Sequence, residues 1–520
     1  TSPDRLNFFY SQRFADPKPA ATRRIFVIGG STVAGRPWAV ETSLSADLQL
    51  RLESIAGSDS RADGQQIAGK DSKRFEVINV GGVSHGITRL APIVDEVLNY
   101  QPDAIVLYTG HNEFLEDQAY RPIREASPAR RQLSRWASRL AIVRAIQRQT
   151  AGGQQRQTAG GQQRRTADGQ NHPSPETNAK PAGADEATLD PNPNTLLDQS
   201  DGWQRYRRDS TTTRRVLEQF RVSLDQVVRR VQIAGVPLWL YLPASDAVRT
   251  PPFKSLPPPG IPIDVQREIE SLQAVAADES IERADRQRAA ESLVAIDPGH
   301  AEAWYRLGEF RLLAAMQKSS SREQAAAVEA FKRARDVDVC PLRATSAIRN
   351  IIREVATDLN VPLIDAASVL DQRTLLGRKI PDSLEDPQWF VDHVHPSFAG
   401  HQELAAALVN AWAQRGFLIN QPTNEDRYHR ARKQHLRRLD ESYFVRGQQR
   451  LEGLRRWARV HPDTLGERES GKGPSAPPQD ASVANDASGG NGASGGNGAS
   501  GGNGASGGND ASLGDTQTTP

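Results

Sequence analysis

The chain of 520 residues holds a single cysteine, Cys340, and a single methionine. One thiol excludes an internal disulfide framework and a cysteine-based zinc site, although it does not fix the compartment. Aromatic residues make up 6% and hydrophobic residues 37% of the chain, and the mean hydropathy is −0.59. No apolar run is long enough to span a bilayer, and no signal-peptide pattern opens the sequence. Excess charge of one sign is missing as well. Sixty-five Lys and Arg face 63 Asp and Glu, for a formal net charge of +2, so no strong basic field argues for nucleic acid. The first residue is Thr1, from which a processed or truncated product is expected, and any export signal or membrane anchor would have been cut away with the missing part; the sequence leaves localisation open.

The shortage of apolar residues is local. Gln149-Thr-Ala-Gly-Gly-Gln-Gln-Arg156 is repeated at once as 157–164, and Ala-Ser-Gly-Gly-Asn-Gly recurs in the tail. Gly, Gln, Asn and Ser cannot build a core, so 149–199 and 471–520 are read as disordered tracts. What remains is rich enough for a full α/β core.

Short apolar runs alternate with helical patterns. Ile25–Ile28, Phe75–Val80, Ala104–Tyr108, Val236–Leu242 and Val361–Asp365 read as strands. Leu44-x-x-x-Leu48-x-Leu50-x-Leu52, Leu90–Tyr100, Tyr206–Ile233 and Gln402–Trp412 read as helices. That alternation predicts a short parallel sheet with helices on both faces, in three layers. The α/β parts are expected at 22–148, 200–262 and 340–420. Between them lie the tract 149–199 and an all-helical stretch, 263–339; a charged helical extension, 421–470, follows.

Several strands stop in residues suited to chemistry. The first ends Gly29-Gly30-Ser31-Thr32, the second Gly81-Gly82-Val83-Ser84-His85-Gly86, and the third Thr109-Gly110-His111-Asn112-Glu113. A loop ahead of the closing helix reads Asp392-His393-Val394-His395-Pro396. In a parallel sheet the carboxyl ends share one edge, where ligands bind. A hydroxyl, an imidazole, a carboxylate and amide donors are the set that acyl transfer requires. Two other motifs fail: no Lys-Ser/Thr follows Gly35, and Val33 stands where a G-x-S-x-G elbow needs glycine. Each residue also has a plainer role open to it. Ser31 is a candidate helix cap, Asn112 a candidate Asx-turn, and Asp392, His393, His395 and His401 a candidate metal cluster. Arg343 is read foremost as a solvated salt bridge, with a substrate carboxylate as its other use.

Taken together, Gly29-Gly-Ser31, Asn79-Val-Gly-Gly82, Gly110-His-Asn-Glu113 and Asp392-His-Val-His395-Pro396 resemble the blocks of the SGNH, or GDSL-like, hydrolase superfamily. The likeness is to a subgroup that reads Gly-Gly-Ser-Thr and Asp-His-x-His-Pro and often carries tetratricopeptide-like helices inside the domain. It implies a three-layer, flavodoxin-like α/β fold and a serine ester hydrolase that needs no cofactor and no metal. By position, Ser31 is then the nucleophile, His395 the base and Asp392 its orienter. The oxyanion hole falls to the Ser31 N–H, a second-block N–H (Gly82, or Ser84) and the Asn112 side chain. Gly30 departs from the family's usual Asp before the nucleophile. The expected substrate is a small-molecule or glycan ester, such as an acylated carbohydrate or cell-surface polymer. Acyl transfer to another hydroxyl would use the same site, and a non-catalytic scaffold is the alternative.

Within 263–339, Ala303-Trp304-Tyr305-x-Leu307-Gly308 and Ala327-x-x-x-Phe331-x-x-Ala334 resemble one tetratricopeptide repeat, its turn lengthened by Ser319-Ser-Ser321. One or two repeats cannot stand alone, so these helices must lean on the main domain, as a strut or as a surface for a protein partner.

Overall fold

The computed structural model describes residues 8–56, 74–124, 205–368, 370, 389–418 and 424–459. All of them belong to one unit, Thr1–Asp463. Residues 57–73 and 128–148, the tract 149–199 and the tail 471–520 lie outside the described residues.

Five strands form one parallel sheet: β1 (Thr22–Gly29), β2 (Arg74–Gly81), β3 (Ala104–Tyr108), β4 (Leu238–Tyr241) and β5 (Leu363–Ile364). Their order is β2-β1-β3-β4-β5, the doubly wound order of flavodoxin-like folds. Ile25 stands level with Val77 on one side and Ala104 on the other, which fixes the register of the three central strands. Period-two alternation then divides the side chains between two cores.

Phe26, Ile28, Ile105, Leu107, Leu238 and Leu240 face one way. They pack on α3 (Ile87–Val97), α5 (Ser210–Ile233) and α10 (Ser346–Asp358). Ile25, Val27, Ala104, Val106, Trp239 and Tyr241 face the other, onto α2 (Leu44–Ala56) and α11 (Phe398–Gln414), whose Trp412 is fully buried. The expected three layers follow from that division. The chain passes from β1 to β2 on one side and then crosses over to β3 on the other, so the topological switch point lies at the carboxyl ends of β1 and β3. α1 (Ser31–Ala34) and α4 (Glu113–Arg124) begin there.

Several boundaries differ from those the sequence suggests. Tyr206 precedes α5, because Asp209 caps the helix by accepting from the Thr211 and Thr212 amides. The stretch 263–339 is four helices: α6 (Ile263–Ala277), α7 (Arg283–Ile296), α8 (Ala301–Lys318) and α9 (Ser321–Asp336). The turn between α8 and α9 is short rather than lengthened. Ser319 takes the left-handed conformation (φ 48°) that ends α8, and Ser320 caps α9 through the Glu323 amide. Gly308 lets the pair approach closely, since a Cβ there would lie 2.8 Å from the Phe331 ring. Tyr305, Leu312 and Phe331 of this pair pack against Val248 in the loop after β4, so the helices do lean on the sheet domain.

The charged extension is two helices, α12 (Glu425–Leu436) and α13 (Glu441–Arg459), instead of one. Asp440 interrupts it by accepting from the Tyr443 amide and the Ser442 hydroxyl. α12 is held on α2 through Asp47, which accepts from Tyr428 (2.8 Å) and Arg432 (3.0 Å). No helix among the described residues is long and apolar enough to cross a membrane.

Candidate active site

Ser31 is the first residue of α1, and Gly30, which makes no side-chain cap, precedes it. The hydroxyl is thus free of the capping role open to it in sequence. It lies 2.8 Å from Nε2 of His395. The glycine pair is required by crowding: a Cβ on Gly29 would collide with the Tyr108 carbonyl and Val33, and one on Gly30 would come within 2.6 Å of Asn112 Nδ2. Asn79 secures the turn from the β2 side. Its Nδ2 donates to the Val33 carbonyl and to the Ser43 and Ser45 hydroxyls, while its Oδ1 accepts from Gly81 N–H.

Residues 389–397 form a tight loop that brings the imidazole to the hydroxyl. A Phe390–Pro396 bridge, Val391 N–H on the His395 carbonyl (2.9 Å) and Ser397 N–H on the Trp389 carbonyl (2.9 Å) close it. Ser397 then caps α11 through the Gly400 amide. Inside the loop, Asp392 Oδ2 stands 2.6 Å from His395 Nδ1, and Oδ1 accepts from the Val394 (2.9 Å) and His395 (2.8 Å) amides. Burial alone would raise the Asp392 carboxyl. The nearby imidazoles of His395 and His393 and these hydrogen bonds overcome it and hold the acid well below the usual carboxylate range. Asp392 is therefore a carboxylate, oriented by backbone amides before it meets the ring.

The three histidines diverge instead of converging on a metal. His393 packs edge-on against Phe253, with ring centroids 4.9 Å apart, and burial lowers it to about 4. His401 Nδ1 accepts from Leu44 N–H (3.1 Å). Among the described residues no group of three or more His, Cys, Asp or Glu side chains is placed to hold a metal ion.

Asn112, four residues past β3, donates from Nδ2 to the His85 carbonyl (3.0 Å) and carries a second N–H on the same nitrogen. Gly82 needs a correction. Its N–H donates to the Gly29 carbonyl (2.9 Å), one step beyond the last β1–β2 ladder pair, and is committed to the sheet. Ser84 instead adopts φ 59°, in the left-handed region that favours glycine, and among the described residues its N–H has no backbone acceptor. A serine in that conformation is a cue that only the backbone reveals.

Glu113, Glu116, Arg343 and Asp246 brace the loops around the site, a role not read from the sequence. Glu113 and Glu116 lie at the N-terminus of α3. Glu113 accepts from Ile87 N–H, and Glu116 from Thr88 N–H and from the Arg89 amide and side chain. Gly86 is needed beneath them, because a Cβ would stand 2.7 Å from Glu116 and 3.0 Å from Glu113. Burial first, then the Glu116 charge, pushes Glu113 up to about 8. Arg343 is buried, not solvated. It donates to the Asp246 (3.1 Å) and Thr250 (2.7 Å) carbonyls and lies 3.5 Å from Asp338. Asp246 N–H in turn holds the His393 carbonyl (3.0 Å), which ties the loop after β4 to the loop of His395. The strand-end signal Pro243-Ala-Ser-Asp246 could have drawn attention to that residue.

No family model matches the chain, and no curated protein does. Solved structures similar to it include an acetyl xylan esterase (12% identity, TM-score 0.30, covering 75% of this chain and 98% of that one). Others are an acetylxylan esterase from Geobacillus stearothermophilus (11%, 0.30, 75% and 93%) and an α/β hydrolase from a lake metagenome in Spain (13%, 0.30, 75% and 94%). Identities and TM-scores this low say nothing of this chain's chemistry, which has to be read from its own side chains.

Proposed function

We propose that this protein hydrolyses carboxylic esters through an acyl-Ser31 intermediate. The observation that carries the reading is the unbroken relay from Ser31 Oγ to His395 Nε2 (2.8 Å) and from His395 Nδ1 to Asp392 (2.6 Å). With Asp392 ionised beside it, Nδ1 keeps its proton and Nε2 presents a lone pair to the serine. His395 takes the Ser31 proton as Oγ bonds to the ester carbonyl carbon. Negative charge then grows on the carbonyl oxygen, and Asp392 compensates the imidazolium.

The donors for that oxygen are the Ser31 and Ser84 amides and the second N–H of Asn112. As the tetrahedral species collapses, the bond to the leaving oxygen breaks and His395 protonates the departing alcohol. The same nitrogen then removes a proton from water as its oxygen bonds to the acyl carbon; the bond to Ser31 Oγ breaks, His395 returns the proton to Oγ, and the acid leaves. Every step uses groups of this chain.

A short acyl nitrophenyl ester tests the chemistry. Turnover is expected from the wild type and lost in Ser31→Ala, with the mass of one acyl group appearing on the Ser31 peptide under rapid quench. Equal rates from both proteins would remove the proposal. The resemblance to SGNH hydrolases extends it to acylated carbohydrate as the substrate. Acetate release from acetylated oligosaccharides, with and without a second sugar as acceptor, distinguishes hydrolysis from transfer.

A further inference from the structure

A second site lies apart from Ser31. A cleft of about 890 Å³ opens between α4, the start of α5 and the segment 333–347. That size lies within the range of cavities that hold small ligands. Its walls are rich in arginine: Arg121, Arg205, Arg207, Arg208, Arg214 and Arg333 all line it.

Several of its charges are already matched. Arg208 grips Asp297 with two bonds (2.7 and 2.8 Å), and Asp117 takes both Arg121 and Arg215 at 3.0 Å. Asp336 is met by Arg335 and Asp338 by Arg343. Arg205, Arg214 and Arg333 make no ion pair among the described residues. The N-terminus of α5 offers little by itself, because Asp209 already accepts from its Thr211 and Thr212 amides.

Two buried donors in the same cleft also lack an acceptor. The Tyr206 hydroxyl and Arg121 Nε are buried and, among the described residues, have no hydrogen-bond partner, and Tyr206 as a whole is only 4% exposed. Asp117, Arg121 and Asp338, whose charges act on that hydroxyl together with Cys340, line the cleft as well. A buried donor without an acceptor costs free energy unless something occupies the space before it. Guanidinium groups select oxyanions, which accept in a planar fork. Because two of the three uncommitted arginines flank the start of α5 and the third lies on α9, an anion with several charged groups suits them better than a single small ion.

We propose that this cleft binds an oligoanion, a flexible chain that carries several phosphate or carboxylate groups. The proposal is independent of the ester chemistry, since none of the groups it uses belongs to the relay at Ser31.

The test is direct binding to the full chain carrying Ser31→Ala, which prevents turnover. The probes are a short polyphosphate and an oligogalacturonate, followed by calorimetry at low and at 0.3 M salt. Saturable one-to-one binding that weakens with salt is expected, and the probe that binds more tightly identifies the anion chemistry. Arg214→Ala with Arg333→Ala should weaken it about tenfold, as loss of charge-assisted contacts does. Tyr206→Phe, which removes only the hydroxyl, should weaken it about threefold. Circular dichroism checks the fold of each variant, and Tyr206→Phe gives an independent reading should the double variant misfold. No binding of either probe at low salt overturns the proposal, as does wild-type affinity in folded arginine and tyrosine variants.

Discussion

Replacing Asp392 by Asn should damage the relay more than its small change in shape suggests. Asp392 Oδ1 accepts two backbone N–H bonds, from Val394 at 2.9 Å and His395 at 2.8 Å, so in an Asn the carbonyl oxygen must occupy that place. The amide NH2 then faces His395 Nδ1 at the position now held by Oδ2, 2.6 Å from the ring. Two donors cannot share that bond. His395 must move its proton to Nε2, where it meets Ser31 Oγ as a donor and can no longer accept the serine proton. The negative charge opposite the imidazolium is lost as well. A wrong tautomer in a serine relay costs about 10³–10⁴ in kcat, equivalent to about 4–5.5 kcal/mol of barrier.

The assay is kcat for a nitrophenyl ester, measured beside Asp392→Ala, in which the ring may choose either tautomer. The Asn variant should be at least as slow as the Ala variant, with KM little changed. An Asn variant that keeps a tenth of wild-type kcat would show that Asp392 does not set the tautomer.

Stability should respond to pH through Glu113. The folded protein holds this carboxyl protonated up to about 8, whereas the unfolded chain releases the proton near 4.5. The folded state therefore binds more protons between those values, and this contribution is full below 4.5 and lost as pH rises through 8. His393 and His401, lowered to about 4 and about 3 by burial, act in the opposite sense, losing stability as pH falls. The difference in melting temperature between wild type and Glu113→Gln isolates the first effect; a difference that does not vary from pH 4.5 to 8 would count against it. Arg343→Met should cost about 3–5 kcal/mol, because it leaves the buried Asp338 without its cation. It should also lower kcat, since the Asp246 amide that holds the His393 carbonyl loses its anchor. Urea unfolding and ester turnover read the two effects, and wild-type values in both would dismiss the anchoring role.

The fold and the relay were legible for the same reason. Buried parallel strands are short, apolar and closed by glycine, and in this order their carboxyl ends meet, so Ser31, Asn112 and His395 converge whatever the lengths of the connections. Helix ends were less visible, because side-chain caps decide them. Asp209 delays α5, Ser320 shortens the α8–α9 turn and Asp440 divides the extension, and each such residue is equally at home in a loop. Choosing between the Gly82 and Ser84 amides required backbone geometry, since a glycine in a sequence does not say where its N–H is spent. The burial of Arg343 was hidden because its acceptors are mostly carbonyls, which every residue carries.

Hydrogen bonds at the base of the insertion explain how four helices can be inserted between β4 and β5 without loosening the loop of His395. The chain leaves the sheet domain near Phe253 and Lys254 and returns at Asp338 and Val339. There the Asp338 carboxylate accepts from the Phe253 (2.8 Å) and Lys254 (3.0 Å) amides, and Val339 N–H donates to the Lys254 carbonyl (2.9 Å). Exit and entry are thus bonded to each other, so the sheet domain meets the detour as a closed turn, and lengthening a loop already closed at its base costs little. From the α8–α9 pair, Tyr305 Oη donates to the Val248 carbonyl (2.9 Å), two residues from Asp246. Tyr305→Phe should leave the relay distances intact and change turnover far less than Arg343→Met, whose guanidinium holds the same loop from beneath.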